Sequence, residues 1–82
     1  MKYEEKICAI QKILELVSRR KLQNVKLLAT GIYFKLRLKV SFRTLPVFTG
    51  WKNYHWSNFR YWFQKLNKQG KLQEIEKIVW SD

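Results

Sequence analysis

Eighty-two residues carrying a net charge of +11 allow one domain over residues 1–82 with one modest core, and leave little room for a buried catalytic cleft beside it. Apolar residues make up 46% of the chain, so the charge belongs to a folded surface and not to a disordered tail. The lone Cys8 excludes a disulfide framework and a cysteine metal site, and no run of about 18 apolar residues exists to span a membrane.

The placement of charge narrows the reading further. The acids are Glu4, Glu5 and Glu15 near one end and Glu74, Glu76 and Asp82 near the other. Between Leu16 and Gln73 there is no Asp or Glu, while Lys and Arg recur from Arg19 to Lys71. An ordinary solvated surface mixes both signs. A long span with one sign removed is the footprint of a phosphate-binding face. Glu4 and Glu5 also interrupt any signal-peptide core, so the expected compartment is cytoplasmic or nucleoid-associated.

The chain opens with an amphipathic helix over about Tyr3 to Lys21. Tyr3, Ile7, Ile10, Leu14 and Val17 recur at spacings of four and three and share one face, which Ile13 and Leu16 widen. Cys8 falls among these positions as a small core residue. The stripe fits core packing, and it also fits the seam of a homodimer through this helix. Arg19, Arg20 and Lys21 suit the negative end of the helix dipole and form a candidate phosphate contact.

After Asn24, Val25 to Thr30 reads as a short strand and Gly31 as part of a tight turn. Then Ile32, Phe34, Leu36, Leu38, Val40 and Phe42 alternate with Tyr33, Lys35, Arg37, Lys39, Ser41 and Arg43. A strand sends alternate side chains to opposite faces, so one face is apolar and the other basic. Twelve residues exceed a usual strand, so the strand bends or a turn lies near Val40 and Ser41. Thr44 to Thr49 continues as a third strand, with Pro46 at an edge or bulge. From about Asn53 to Gln69 the period is helical again. Trp56, Phe59, Trp62, Phe63 and Leu66 form its apolar stripe, Arg60, Tyr61, Lys65 and Lys68 lie outside it, and Gly70 stops it. Lys71 to Trp80 reads as a short last helix, with a strand as the other reading. The expected fold is α+β: an N-terminal helix, a three-stranded antiparallel sheet, and one or two C-terminal helices packed on it.

Two sets of residues carry the functional reading. Tyr33, Lys35, Arg37, Lys39 and Arg43 stand on the exposed strand face. Residues two apart on a strand are roughly 6.5–7 Å apart, near the spacing of successive phosphates. Such a row follows a backbone, and the tyrosine stacks on a base or sugar. The second set is aromatic and basic: Trp51, Lys52, Tyr54, His55 and Trp56, then Arg60 and Tyr61. Its rings exceed what one helical face buries, and exposed rings beside cations suit base stacking. Paired carboxylates, a glycine-rich phosphate loop and a nucleophile–histidine–acid set are all absent from the central span, so no enzyme, cofactor or metal is expected. His55 near Ser57 is a helix-start pair.

The order of three antiparallel strands followed by a helix resembles the arm-type DNA-binding domains of tyrosine integrases. That order, with Ser41, Phe42, Pro46, Phe48 and Thr49 ahead of a Trp-, Gln- and Gly-bearing helix, also resembles a small bacterial cell-division activator family. That resemblance implies a sheet contacting duplex DNA. The expected function is non-enzymatic nucleic-acid binding, DNA ahead of RNA, with no membrane partner. Two other readings stay open. Residues 51–67 could hold a helix-turn-helix with Arg60, Tyr61, Gln64 and Lys65 on its recognition helix. The chain could instead be a phage- or mobile-element-type inhibitor or adaptor docking on a protein or nucleoprotein complex.

Overall fold

The computed structural model describes residues 2–18, 21–22, 24–48 and 55–81, and among them it is helical throughout, with no strand. Helix α1 spans Tyr3–Val17 and α2 spans Val25–Leu38. A 3-10 turn, Phe42–Thr44, runs into the short α3, Leu45–Phe48. Helix α4 spans Trp56–Lys68 and α5 spans Leu72–Val79.

The expected α+β fold is therefore overturned, and with it the sheet that the resemblance implied. One helix, α2, takes up most of both segments assigned to strands, and the third strand is the 3-10 turn with α3. The physical reason lies in the residues of α2 that reach the core. Leu27, Leu28, Gly31 and Ile32 are buried at spacings of three and four, and Val25–Leu38 contains no proline to break them. The two-residue alternation is real in the sequence but does not govern burial: Leu38, assigned to the apolar face, is exposed. A break does fall beside Val40 and Ser41. Lys39 takes a left-handed conformation with φ 56°, and its N–H closes on the Lys35 carbonyl.

Helix α1 packs on α2 and α5, whereas α4 packs on α2, α5 and the Phe42–Phe48 segment. Helix α2 thus lies between α1 and α4. The core joins Ile7, Ile10, Leu14 and Val17 of α1 to Leu28, Ala29 and Ile32 of α2, Phe59 and Leu66 of α4, and Leu72, Ile75 and Val79 of α5. The α1 stripe is thereby used inside the chain. Three of its expected members are not: Tyr3, Cys8 and Leu16 face solvent. Where α2 crosses α4, Gly31 receives the Phe59 ring so closely that a Cβ there would overlap it. That glycine is a contact point inside a helix and not a turn.

The helix ends are closed locally. Gly70, at φ 72°, follows α4. Its N–H bonds the Asn67 carbonyl and the Lys71 N–H bonds the Leu66 carbonyl, which together make a Schellman stop. At the end of α5 the cap comes from another helix. Lys6 of α1 is buried, and its Nζ donates to the Val79 carbonyl at 2.9 Å. A cation at a helix C-terminus satisfies an orphan carbonyl and the dipole together. Lys6→Met keeps the apolar stem but removes the cap, and should lower stability by about 1–2 kcal/mol in urea titration.

Candidate nucleic-acid interface

Thirteen residues in α4 make a helix roughly 20 Å long. Its inner side is apolar: Phe59 and Leu66 are buried, and Trp56, Trp62 and Phe63 are half-buried. The same 3.6-residue period sets the opposite side. Ser57, Arg60, Tyr61, Gln64 and Lys68 recur at spacings of three and four and are all exposed, with Asn67 beside them. No acid occurs in α4.

The start of this helix is held in place. The His55 ring accepts the Ser57 N–H at 3.2 Å, and its Nδ1 lies 2.7 Å from the Ser57 hydroxyl. The imidazole is an N-cap, in the role that Ser or Asp usually fills. It also stacks on Trp56, with ring centroids 5.5 Å apart and planes at 25°. Arg43, on the 3-10 turn, places its guanidinium 5.5 Å from the centroid of the same indole. Arg43 and Arg60 therefore flank the first turn of α4 through Trp56, one by contact and one by spacing along the helix.

The other face residues are uncommitted. Among the described residues Arg60, Gln64, Asn67 and Lys68 make no side-chain hydrogen bond or ion pair, and the one ion pair is Lys71–Glu74 at 3.6 Å on the surface. Lys65 differs. It is half-buried, with its ammonium 4.9 Å from the Trp62 centroid and 5.9 Å from that of Tyr61. There it fixes the exposed Tyr61 ring more than it reaches outward.

The strand-face set does not form a row. On a helix, successive residues turn by about 100°, so Tyr33 and Arg37 share one side and Lys35 another. Tyr33 is half-buried, edge-on to Tyr3 at 5.1 Å. Lys35 donates to the Val40 carbonyl at 2.9 Å and sits 4.5 Å from the Phe42 centroid. Arg37 lies over Trp80 at 4.6 Å, and Lys39 is the exposed C-cap of α2. These cations close a helix end and cover rings. Arg43, Arg60 and Tyr61 remain at the site, while Arg19, Arg20, Trp51, Lys52 and Tyr54 lie outside the described residues. Sequence reasoning placed Lys68 outside the apolar stripe and read Ser57 as a helix-start residue, but assigned neither of them, nor Asn67, to the site. The signal was present, since the complement of the apolar stripe is as readable as the stripe itself.

Among the described residues no helix is long and apolar enough to cross a membrane. Comparison with protein-family models, with curated proteins and with solved structures finds no match to this chain.

Proposed function

We propose that the chain is a non-enzymatic DNA-binding protein that lays the outer face of α4 in the major groove of a duplex. One observation carries this reading: an acid-free helical face on which the side chains of Arg60, Gln64, Asn67 and Lys68 have no hydrogen-bond or ion-pair partner among the described residues. Arg suits the O6 and N7 edge of guanine, and Gln and Asn suit the N6 and N7 edge of adenine. Arg43 and Lys68 lie at opposite ends of α4 and supply phosphate contacts on the flanking backbones. The acids of α1 sit across α2 from this face, so the protein's field orients it with α4 toward the polyanion.

Groove geometry favours DNA over RNA. The B-form major groove is about 12 Å wide and admits a helix, whereas the A-form groove is deep and narrow and does not. The test is fluorescence anisotropy of labelled DNA and RNA duplexes of matched random sequence at moderate salt. Binding to DNA with Kd of about 1 µM or tighter, and weaker binding to RNA, is expected. Equal affinity for both duplexes, or none for DNA, would contradict the proposal.

A further inference from the structure

Tyr61 is the one fully exposed aromatic side chain of α4, whose other rings, Trp56, Phe59, Trp62 and Phe63, turn toward the core. It stands one turn after Ser57 and one turn before Gln64, so it shares their outer face. Its exposure is 57%, yet the ring is held. It meets Trp62 edge-on, with centroids 5.5 Å apart and planes at 87°. The Lys65 ammonium, seated over Trp62, lies 5.9 Å from the Tyr61 centroid on its other flank. Fixing a side chain before binding lowers the cost of ordering it later.

The surroundings of this ring limit what it can meet. The other exposed large apolar residues among those described, Tyr3, Leu16, Leu38, Val47 and Trp80, all lie outside α4. Tyr61 is therefore a single apolar group among Ser57, Arg60, Gln64 and Lys68, not part of an apolar patch. The major groove of a duplex has the matching pattern. Its base edges are donors and acceptors, and the apolar group standing among them is the C5-methyl of thymine. The faces of paired bases are covered by their neighbours in the stack, so a ring entering an intact groove meets that methyl and not a base face.

We infer that Tyr61 is a specificity-determining residue that recognises thymine in duplex DNA through its C5-methyl. The inference rests on the reading of α4 as the element in the major groove and adds a base to it. One residue separates Tyr61 from Arg60, a rise of about 1.5 Å, against about 3.4 Å between base pairs. The thymine should thus lie within about two base pairs of the guanine that Arg60 selects. RNA carries uracil there, so the methyl gives a preference for DNA in addition to groove width.

The test takes the duplex selected from a random DNA pool and exchanges thymine for uracil one position at a time. Each exchange removes a methyl group and keeps every hydrogen bond. Wild-type affinity by anisotropy should fall roughly three- to five-fold at a thymine beside that guanine. Tyr61→Ala should bind the thymine and uracil duplexes equally, with unchanged helical circular dichroism. Tyr61→Phe should keep the wild-type preference, since the ring and not the hydroxyl covers the methyl. Lys68→Ala should weaken both duplexes and keep their ratio. Wild-type protein that binds DNA but ignores every exchange overturns the inference and leaves the reading of α4 standing, whereas protein that binds no duplex removes both. A Tyr61→Ala protein that weakens on both duplexes yet still prefers thymine also overturns it, because the ring then meets a phosphate, a sugar or an unpaired base.

Discussion

Replacing Arg60 and Gln64 together with alanine should weaken binding to the preferred DNA duplex by about 2–6 kcal/mol, roughly 30-fold to 25,000-fold, because each bidentate contact to a base contributes about 1–3 kcal/mol of discrimination. The fold should not change. Both side chains are exposed on α4 and have no partner among the described residues, and surface substitutions of this kind stay within about 0.5 kcal/mol. The two single variants should differ in what they relax. Arg60→Ala should lose preference for guanine and Gln64→Ala preference for adenine, read by selection from a random duplex pool. Lys68→Ala should instead weaken all sequences alike and lower the salt slope by about 0.9, the value of one phosphate contact.

Gly31→Ala should be destabilising although it sits inside a helix. Alanine is ordinarily better than glycine there by about 0.5–1 kcal/mol. Here the added methyl group overlaps the ring of Phe59, which is itself fully buried and has no free space to retreat into. Overpacking of this kind costs about 1–3 kcal/mol, so the net loss should be about 1–2 kcal/mol. For a domain of this size that lowers Tm by roughly 4–15 °C. A double-mutant cycle isolates the cause. In a Phe59→Leu background the Gly31→Ala change should cost much less, since leucine leaves the space the ring held. Equal costs in the two backgrounds would show that the ring is not the reason. The crossing matters to function because Phe59 is the buried anchor of α4, and the outer face is aimed by how that anchor seats.

Where one period alone explained a segment, the sequence was legible. The α1 stripe of Ile7, Ile10, Leu14 and Val17, the α4 stripe around Phe59 and Leu66, the stop at Gly70 and the helical reading of the last segment all match the structure. The middle was not legible because two periods coexist there. Residues 32 to 43 alternate apolar and polar without a fault, which describes a strand, while residues 32 to 38 also extend a helical set that begins at Leu27 and Leu28. Tertiary contact settled the contest: Gly31 read as a turn when taken alone, yet it is the point at which α4 packs against α2. Glycine between two helical stripes is the clue that reading in isolation discards.

The candidate site followed the same division. Charge asymmetry pointed to the acid-free middle of the chain, and α4, on which the proposal rests, lies within that span. The assignment of cations to one strand face did not survive, because Lys35 and Arg37 are spent on a carbonyl and on rings within the chain. Of the recognition-helix set, Arg60, Tyr61 and Gln64 lie exposed on the complement of the α4 stripe, as the helical period predicts, whereas Lys65 is half-buried against Trp62. The Lys6 cap and the His55 cap were not legible, since each depends on which atoms the fold brings together.

A paired titration tests the account most directly: one DNA duplex, measured by anisotropy at several salt concentrations, against the Arg60→Ala/Gln64→Ala protein and a Lys12→Ala/Lys26→Ala control. The control removes two charges from exposed positions on α1 and α2, away from α4, whereas the α4 variant removes one. If α4 is the reading element, the α4 variant loses roughly 30-fold or more and the control changes only a few-fold. An α4 variant that binds like wild type, or a control that loses as much as it does, would contradict the claim that this face meets the DNA.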